Sequence, residues 1–196
     1  MYNILLDPLP KDWNGYPIDT DFQTGIMISQ CLTDDSLSDL EKFYVAAWLL
    51  FPTDSRPDNA GIGKAINWYM TDFLHDNYPE KKRNDVVMDW DIDQWRIYAA
   101  FWAQYHIDLN RTRMHWFQFM GLLTNLEECA FTRVIDIRQK EITSKMSPEE
   151  KKVYRNAKKI YEIKPPKDES ITPEEQARIN DFMKYANINK KKKKSL

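Results

Sequence analysis

Between Trp90 and Phe119, nine aromatic side chains crowd into thirty residues, the densest aromatic run of the chain. Each such ring removes on the order of 150–250 Å² from water when it reaches a core, so the fold is expected to form around this stretch. Read at helical period, Ile92, Trp95, Tyr98, Trp102 and Tyr105 fall on one face, widened by Ile97 and Phe101. Asp91 or Asp93 is placed to cap that helix, since a short carboxylate satisfies free N–H groups of a first turn. After Asn110 a second helix carries Met114, Phe117, Met120, Gly121 and Leu123 on one side. Two amphipathic helices joined by about five residues fold back as a helical hairpin. That hairpin is the predicted centre of the core.

The rest of the chain reads mainly as further helices. Trp13-Asn14-Gly15-Tyr16 places Asn-Gly between two aromatics, the residue pair that a type I′ turn demands, and predicts a small β-hairpin over residues 2–18. Asp19, Thr20 and Asp21 offer caps for a helix with Phe22, Ile26, Ser29 and Leu32 on one face. Ser38-Asp39-Leu40-Glu41 is a capping box opening a helix through Phe43, Ala47, Trp48 and Leu50, which Pro52 stops. Pro57-Asp58-Asn59 opens another, with Ile62, Ile66, Tyr69, Met70 and Phe73 on one side. Residues 76–90 read as the longest loop of the body. Phe131, Val134, Ile135 and Ile142 mark a helix, continuous or broken near Asp136. Ser147-Pro148-Glu149-Glu150 starts the next, with Val153, Tyr154, Ala157, Ile160 and Tyr161 as a narrow stripe. Thr172-Pro173-Glu174-Glu175 repeats that start signal for a last helix with Ala177, Ile179, Phe182 and Tyr185. The expected architecture is a mainly α single domain of seven or eight helices, with a helical body at 1–162, a C-terminal helical extension at 163–189 and a disordered lysine-rich tail at 190–196.

Charge is segregated along the chain. Residues 1–137 hold 11 basic and 21 acidic residues, and residues 138–196 hold 17 basic and 9 acidic. All seven tryptophans precede Phe117, so an acidic, aromatic body is followed by a basic, aromatic-poor tail. Cys31 and Cys129 sit in apolar helical surroundings rather than in a metal or redox motif, and read as free thiols of a reducing compartment. Met1-Tyr2-Asn3 has no basic run of a signal peptide, and no apolar run approaches the roughly 20 residues a membrane span needs.

Catalytic and metal-binding patterns fail on inspection. Asp89-Trp90-Asp91-Ile92-Asp93 has the opening of a calcium loop, but the positions for the turn glycine and the closing glutamate hold Gln94 and Ala100. His75, His106 and His115 lack the paired spacing of a zinc site. No phosphate-cradling glycine loop and no nucleophile elbow occurs. The sequence therefore predicts no enzyme, no cofactor and no metal. Aromatics at helical spacing are most often core; Trp13, Trp68 and Trp90, each at an element edge or beside polar residues, are the candidates for an exposed partner-binding surface. The run Lys190–Lys194 offers salt-sensitive attachment to an acidic partner or a nucleic acid, but lacks interleaved aromatics for base stacking.

Five segments in order carry a resemblance: LLDPLP with NGYPIDTDF near the start, LSDLEKFYVAAWLLFP, an acidic lead-in followed by IYAAFWAQYHIDL, MHWFQFMGLL, and Arg133-Val134-Ile135-Asp136-Ile137-Arg138. Together they resemble the "gp-fifteen" family of long-tailed bacteriophages over roughly residues 1–162. The resemblance implies a tail-assembly chaperone encoded beside the tape-measure protein, acting in the cytoplasm of an infected bacterium and absent from the mature virion. Its implied partners are the tape-measure protein, the major tail protein and further copies of itself, with no membrane and no nucleic acid. It supplies no catalytic motif. Such chaperones are commonly made in a short and a frameshifted longer form, and five lysine codons offer an A-rich slippage site. The alternatives are a structural tail or connector component retained in the virion, and a nucleic-acid-binding protein working through its basic tail.

Overall fold

The computed structural model describes residues 4–71 and 87–163. These belong to one compact unit, Met1–Ile163. The sequence expectations for Phe73, His75, the loop over residues 76–86, the helix after Thr172 and the lysine run lie outside the described residues. Among the described residues the order is β1 (Asp12–Trp13), β2 (Tyr16–Pro17), α1 (Phe22–Thr33), α2 (Asp39–Leu50), α3 (Asn59–Thr71), α4 (Trp90–Tyr105), α5 (Trp116–Thr124), α6 (Ala130–Gln139) and α7 (Pro148–Ile160). The chain is mainly α with a small antiparallel hairpin.

Local chemistry sets the boundaries of these elements. Asn14 and Gly15 both have positive φ, 51° and 84°, as the tight turn requires, and Gly15 N–H donates to Asp12 Oδ1 at 2.9 Å. Pairing is limited to Asp12 opposite Pro17 and Trp13 opposite Tyr16, shorter than the 2–18 expected. Pro8 and Pro10 have no N–H to extend the ladder. Asp21 caps α1 by accepting from Gln23 N–H at 2.9 Å. Ser38 and Ser147 each form the full capping box with the glutamate three residues on, and Pro148 follows the second. α4 is capped by Asp89, not by Asp91 or Asp93: one Asp89 oxygen accepts from the N–H groups of Asp91 and Ile92. His106 ends α4 in the left-handed region at φ 55°, and Ile107 N–H returns to the Phe101 carbonyl at 3.3 Å.

The core is a stack of rings around Phe119. Its ring packs against Phe22 at 4.8 Å, Phe101 at 5.1 Å and Trp116 at 5.9 Å, which joins α1, α4 and α5. Tyr69 of α3 stacks on Trp116 at 6.2 Å, and its hydroxyl donates to the Asp21 carbonyl. The expected α4–α5 hairpin is not how the backbones pair: α5 lies nearest α1, and α4 lies nearest α6. Ten residues rather than five separate the two helices, because α5 starts only at Trp116. What delays it is a stitch between chain segments. Phe22 N–H donates to the Met114 carbonyl at 3.0 Å and Trp116 N–H to the Thr20 carbonyl at 2.7 Å, so the starts of α1 and α5 are clamped side by side. His115 caps α5 with Nδ1, accepting from Phe117 N–H at 3.0 Å. That leaves Nε2 to carry the proton donated to the Pro10 carbonyl at 2.8 Å. Burial holds the imidazole below its usual pKa of 6.5, while the Pro10 contact pulls the other way.

Several faces are turned differently from the expectation, and small residues explain why. The buried face of α1 is Phe22, Thr24, Gly25, Ile28 and Cys31, and Leu32 is exposed. Gly25 is the reason: the Trp116 indole lies flat on the helix backbone there, and an added Cβ would sit 2.2 Å from a ring carbon. In α2, Ala46, Ala47 and Leu50 face inward while Trp48 is 71% exposed. In α4, Ile97, Ala100 and Phe101 face inward with Asp93, while Ile92, Trp95 and Trp102 point to solvent. α6 is unbroken through Asp136 and buries Phe131 and Val134. α7 buries no residue, and Val153 and Ile160 of its stripe are exposed.

Asp93 is fully buried, and its partners come from three places. Arg138 on α6 reaches it with two nitrogens at 2.5 and 3.2 Å, Arg96 with one at 2.8 Å, and Asp89 N–H donates at 3.2 Å. The same Arg138 guanidinium donates to the carbonyls of Val87 at 3.0 Å and Tyr161 at 2.6 Å. Lys158 of α7 donates to the Arg138 carbonyl at 2.7 Å. One arginine thus fastens the entry to α4, α4 itself and the end of α7.

Two stability measurements follow. Gly25→Ala is expected to cost about 3 kcal/mol or more in urea unfolding, because the indole has nowhere to retreat; a loss under about 0.5 kcal/mol would contradict that packing. Asp93→Leu or Arg138→Met alone leaves a buried charge short of its partner and should each cost about 3–5 kcal/mol, whereas Asp93→Leu with Arg138→Met should cost clearly less than the sum of the two. Additive single and double losses would mean that the pair does not act as a unit.

Candidate partner-binding surface

Three tryptophans stand out in the solvent. Trp95 is 75% exposed, Trp48 71% and Trp102 54%. Burying one such ring is worth several times what a single surface ion pair contributes, so leaving three outside carries a large unrealised gain for association. Trp95 and Trp102 lie seven residues apart on α4, with exposed Ala99 between them and exposed Ile92 one turn before. Trp48 lies on α2 with exposed Leu40 and Tyr44, one helical turn apart each. These are two stripes on two helices.

Trp95 of this stripe also stands at the edge of a trough. α1 and α4 are bridged at one end by Trp90 Nε1 donating to Ser29 Oγ at 2.9 Å and by Gln30 Nε2 donating to Asp91 Oδ1 at 3.0 Å. Beyond these bridges the helices leave an open cleft of about 400 Å³. Its floor is Phe22, Trp90, Ile97 and Phe119; its rim is Gln23, Asp91, Gln94, Trp95 and Asn110. Apolar floor and amide-rich rim suit a side chain with apolar body and polar backbone, rather than a charged small molecule.

The tryptophans selected from sequence sit elsewhere than expected. Trp13, Trp68 and Trp90 are all half-buried and packed against the core. Trp13 belongs to the hairpin that covers the core; Trp68 meets Phe117 edge-on at 5.3 Å; Trp90 lies 6.2 Å from both Trp116 and Phe119. The structure brings only Trp90 to the trough, as part of its floor. Polar neighbours in sequence misled the expectation, because a helix's first residue can still turn its ring inward. Trp95 and Trp102 were missed because helical spacing of aromatics reads as core from either side of the helix.

His106 is exposed at a helix end, and His115 is engaged at both ring nitrogens. Among the described residues no group of three His, Cys, Asp or Glu side chains is placed to hold a metal ion, and no helix is long and apolar enough to cross a membrane. Both cysteines are free thiols, Cys31 buried and Cys129 half-buried, and burial pushes the Cys31 thiol upward with Asp34 adding to it.

The exposure order is open to a direct check. Under limiting N-bromosuccinimide, peptide mapping should find oxidation first at Trp95, Trp48 and Trp102, and last at Trp116. Early oxidation at Trp13, Trp68 or Trp90 ahead of those three would place the exposed surface where the sequence suggested instead.

No curated protein and no solved structure matches the chain. The family model described as Bacteriophage Gp15 protein matches it over residues 5–163, the span that holds the hairpin, all seven described helices and the trough. The chain belongs to that phage protein family.

Proposed function

We propose that this protein is a non-enzymatic tail-assembly chaperone, which binds the phage tape-measure protein and keeps it soluble until the tail tube polymerises around it. The observation that supports this reading most is the pair of exposed aromatic stripes, Trp95–Trp102 and Leu40–Tyr44–Trp48, on a folded and negatively charged body. A monomer gains nothing from tryptophans held in water, whereas a long apolar-striped client does. Carboxylates around the stripes discourage self-aggregation and attract basic segments. Binding is non-covalent and uses many weak contacts, so tail-tube subunits displace the chaperone by competition and no nucleotide is consumed. The protein acts in the host cytoplasm and is left behind when the virion matures.

Co-expression with the tape-measure protein tests this. The client should be insoluble alone, and soluble and co-purifying in the presence of this protein. A client that stays insoluble beside well-folded protein would remove the chaperone role, and recovery of the protein from purified virions would favour a structural tail component.

A further inference from the structure

Asn14-Gly15 is the one Asn-Gly pair of the chain. A peptide bond of this kind is prone to cyclise on its own side chain, because glycine puts no Cβ in the way. The Gly15 nitrogen attacks Asn14 Cγ, the new N–Cγ bond closes a five-membered succinimide, and the Cγ–Nδ2 bond breaks with loss of ammonia. Water then opens the ring at either carbonyl. One opening leaves aspartate; the other leaves isoaspartate, whose backbone runs through the former side chain and is one carbon longer. The reaction takes only water and a backbone nitrogen able to give up its proton. Both residues are exposed at the tip of the β1–β2 hairpin, so water reaches them.

The closed turn withholds the nitrogen in two ways. Asn14 and Gly15 are both left-handed, with φ 51° and 84°. In that conformation the chain leaves the residue on the side opposite its Cβ, which carries the Gly15 nitrogen away from the amide it would attack. The same nitrogen is also occupied, since its N–H donates to Asp12 Oδ1 at 2.9 Å. Removing that proton would set an anion against a carboxylate, which like charge opposes. Two residues on each side make a short hairpin, marginal if left to itself. Its footing keeps it shut. Ile18 is buried and its N–H donates to the Lys11 carbonyl at 3.2 Å, Trp13 and Tyr16 pack on the core, and Asp19 N–H donates to the Leu50 carbonyl at 2.8 Å.

We propose that Asn14 is a site of spontaneous deamidation guarded by the folded hairpin through Asp12: the amide survives while the turn is closed and is lost when it opens. The loss runs one way. Turn type and loop length fix hairpin register, and isoaspartate at position 14 inserts an extra backbone atom into a two-residue loop. The pairing of Trp13 with Tyr16 is then not rebuilt. The aspartate product keeps the loop length but sets a second carboxylate beside Asp12. Asn14 thus keeps a chemical record of hairpin opening, independent of what the body binds.

The test ages full-length protein in weakly alkaline buffer, with and without urea enough to unfold it, and follows Asn14 by peptide mapping that separates asparagine, aspartate and isoaspartate. Conversion should be roughly tenfold or more faster in urea than in the native protein. Asp12→Ala should speed the native reaction by up to about tenfold, the scale of one hydrogen bond to a charged group, and leave the rate in urea unchanged. Asp12→Asn, which keeps an acceptor without the charge, should fall between. Hydrogen exchange at Gly15 N–H should rise in the same order across the three proteins. Native conversion as fast as in urea overturns the proposal, as does an Asn14 that stays amidated in urea. So does Asp12→Ala that leaves the native rate alone, or that changes both rates equally, since the carboxylate would then act along the chain and not through the turn. Aged protein carrying isoaspartate, once refolded, should melt below unaged protein; equal melting temperatures would overturn the claim that the hairpin cannot be rebuilt.

Discussion

One buried carboxylate governs how the second half of the chain closes on itself. Taking Asp93 out of water would be prohibitive without compensation. Four donors meet it, three of them from guanidinium groups. The geometry this requires is what places α6 beside α4 and brings the end of α7 back to Val87. A hydrophobic contact would permit sliding along a helix groove; a carboxylate between two arginines permits one register. The inward face of α4 is therefore fixed, and with it the outward face. Trp95 and Trp102 are held in solvent because Asp93, Ile97, Ala100 and Phe101 are held inside.

Helix starts were legible because they are written locally. Asp21, Ser38 and Ser147 each satisfy backbone N–H groups within three residues, and no tertiary information is needed to read them. The same locality produced the error at Asp93. A carboxylate near the start of a helix is usually a cap, and nothing nearby in sequence reveals a partner 45 residues on. The aromatic density of 90–119 did locate the core, through Phe101, Trp116, Phe117 and Phe119. What it left open was which side of each helix that core would use.

Faces were misjudged wherever a small residue outranked a large one. Periodicity weighs side chains by size, so α1 was expected to bury Leu32 and α2 to bury Trp48. Packing rewards close approach instead. Gly25 lets an indole rest on bare backbone, and Ala46 and Ala47 bring α2 against its neighbours. The large residues then remain outside, and the surface most suited to a partner was hidden in the sequence among residues that look like core. Family membership and fold were readable from pattern; the exposed stripe required the backbone to be placed.

His115 carries a consequence of its own. One imidazole holds the hairpin entrance through Nε2–H on the Pro10 carbonyl and starts α5 by accepting from Phe117 N–H, and the second bond requires Nδ1 to be bare. The folded chain therefore resists a proton that the unfolded chain accepts at the ordinary value of 6.5. Above that pH both states leave the ring neutral, and its contribution to stability is complete. As pH falls below it the unfolded state binds first, and stability drains away. In weakly acidic solution, unfolding at this position is a reaction that consumes a proton, and what the proton displaces is the Phe117 cap at the start of α5, while Nε2–H keeps its hold on the Pro10 carbonyl in either form.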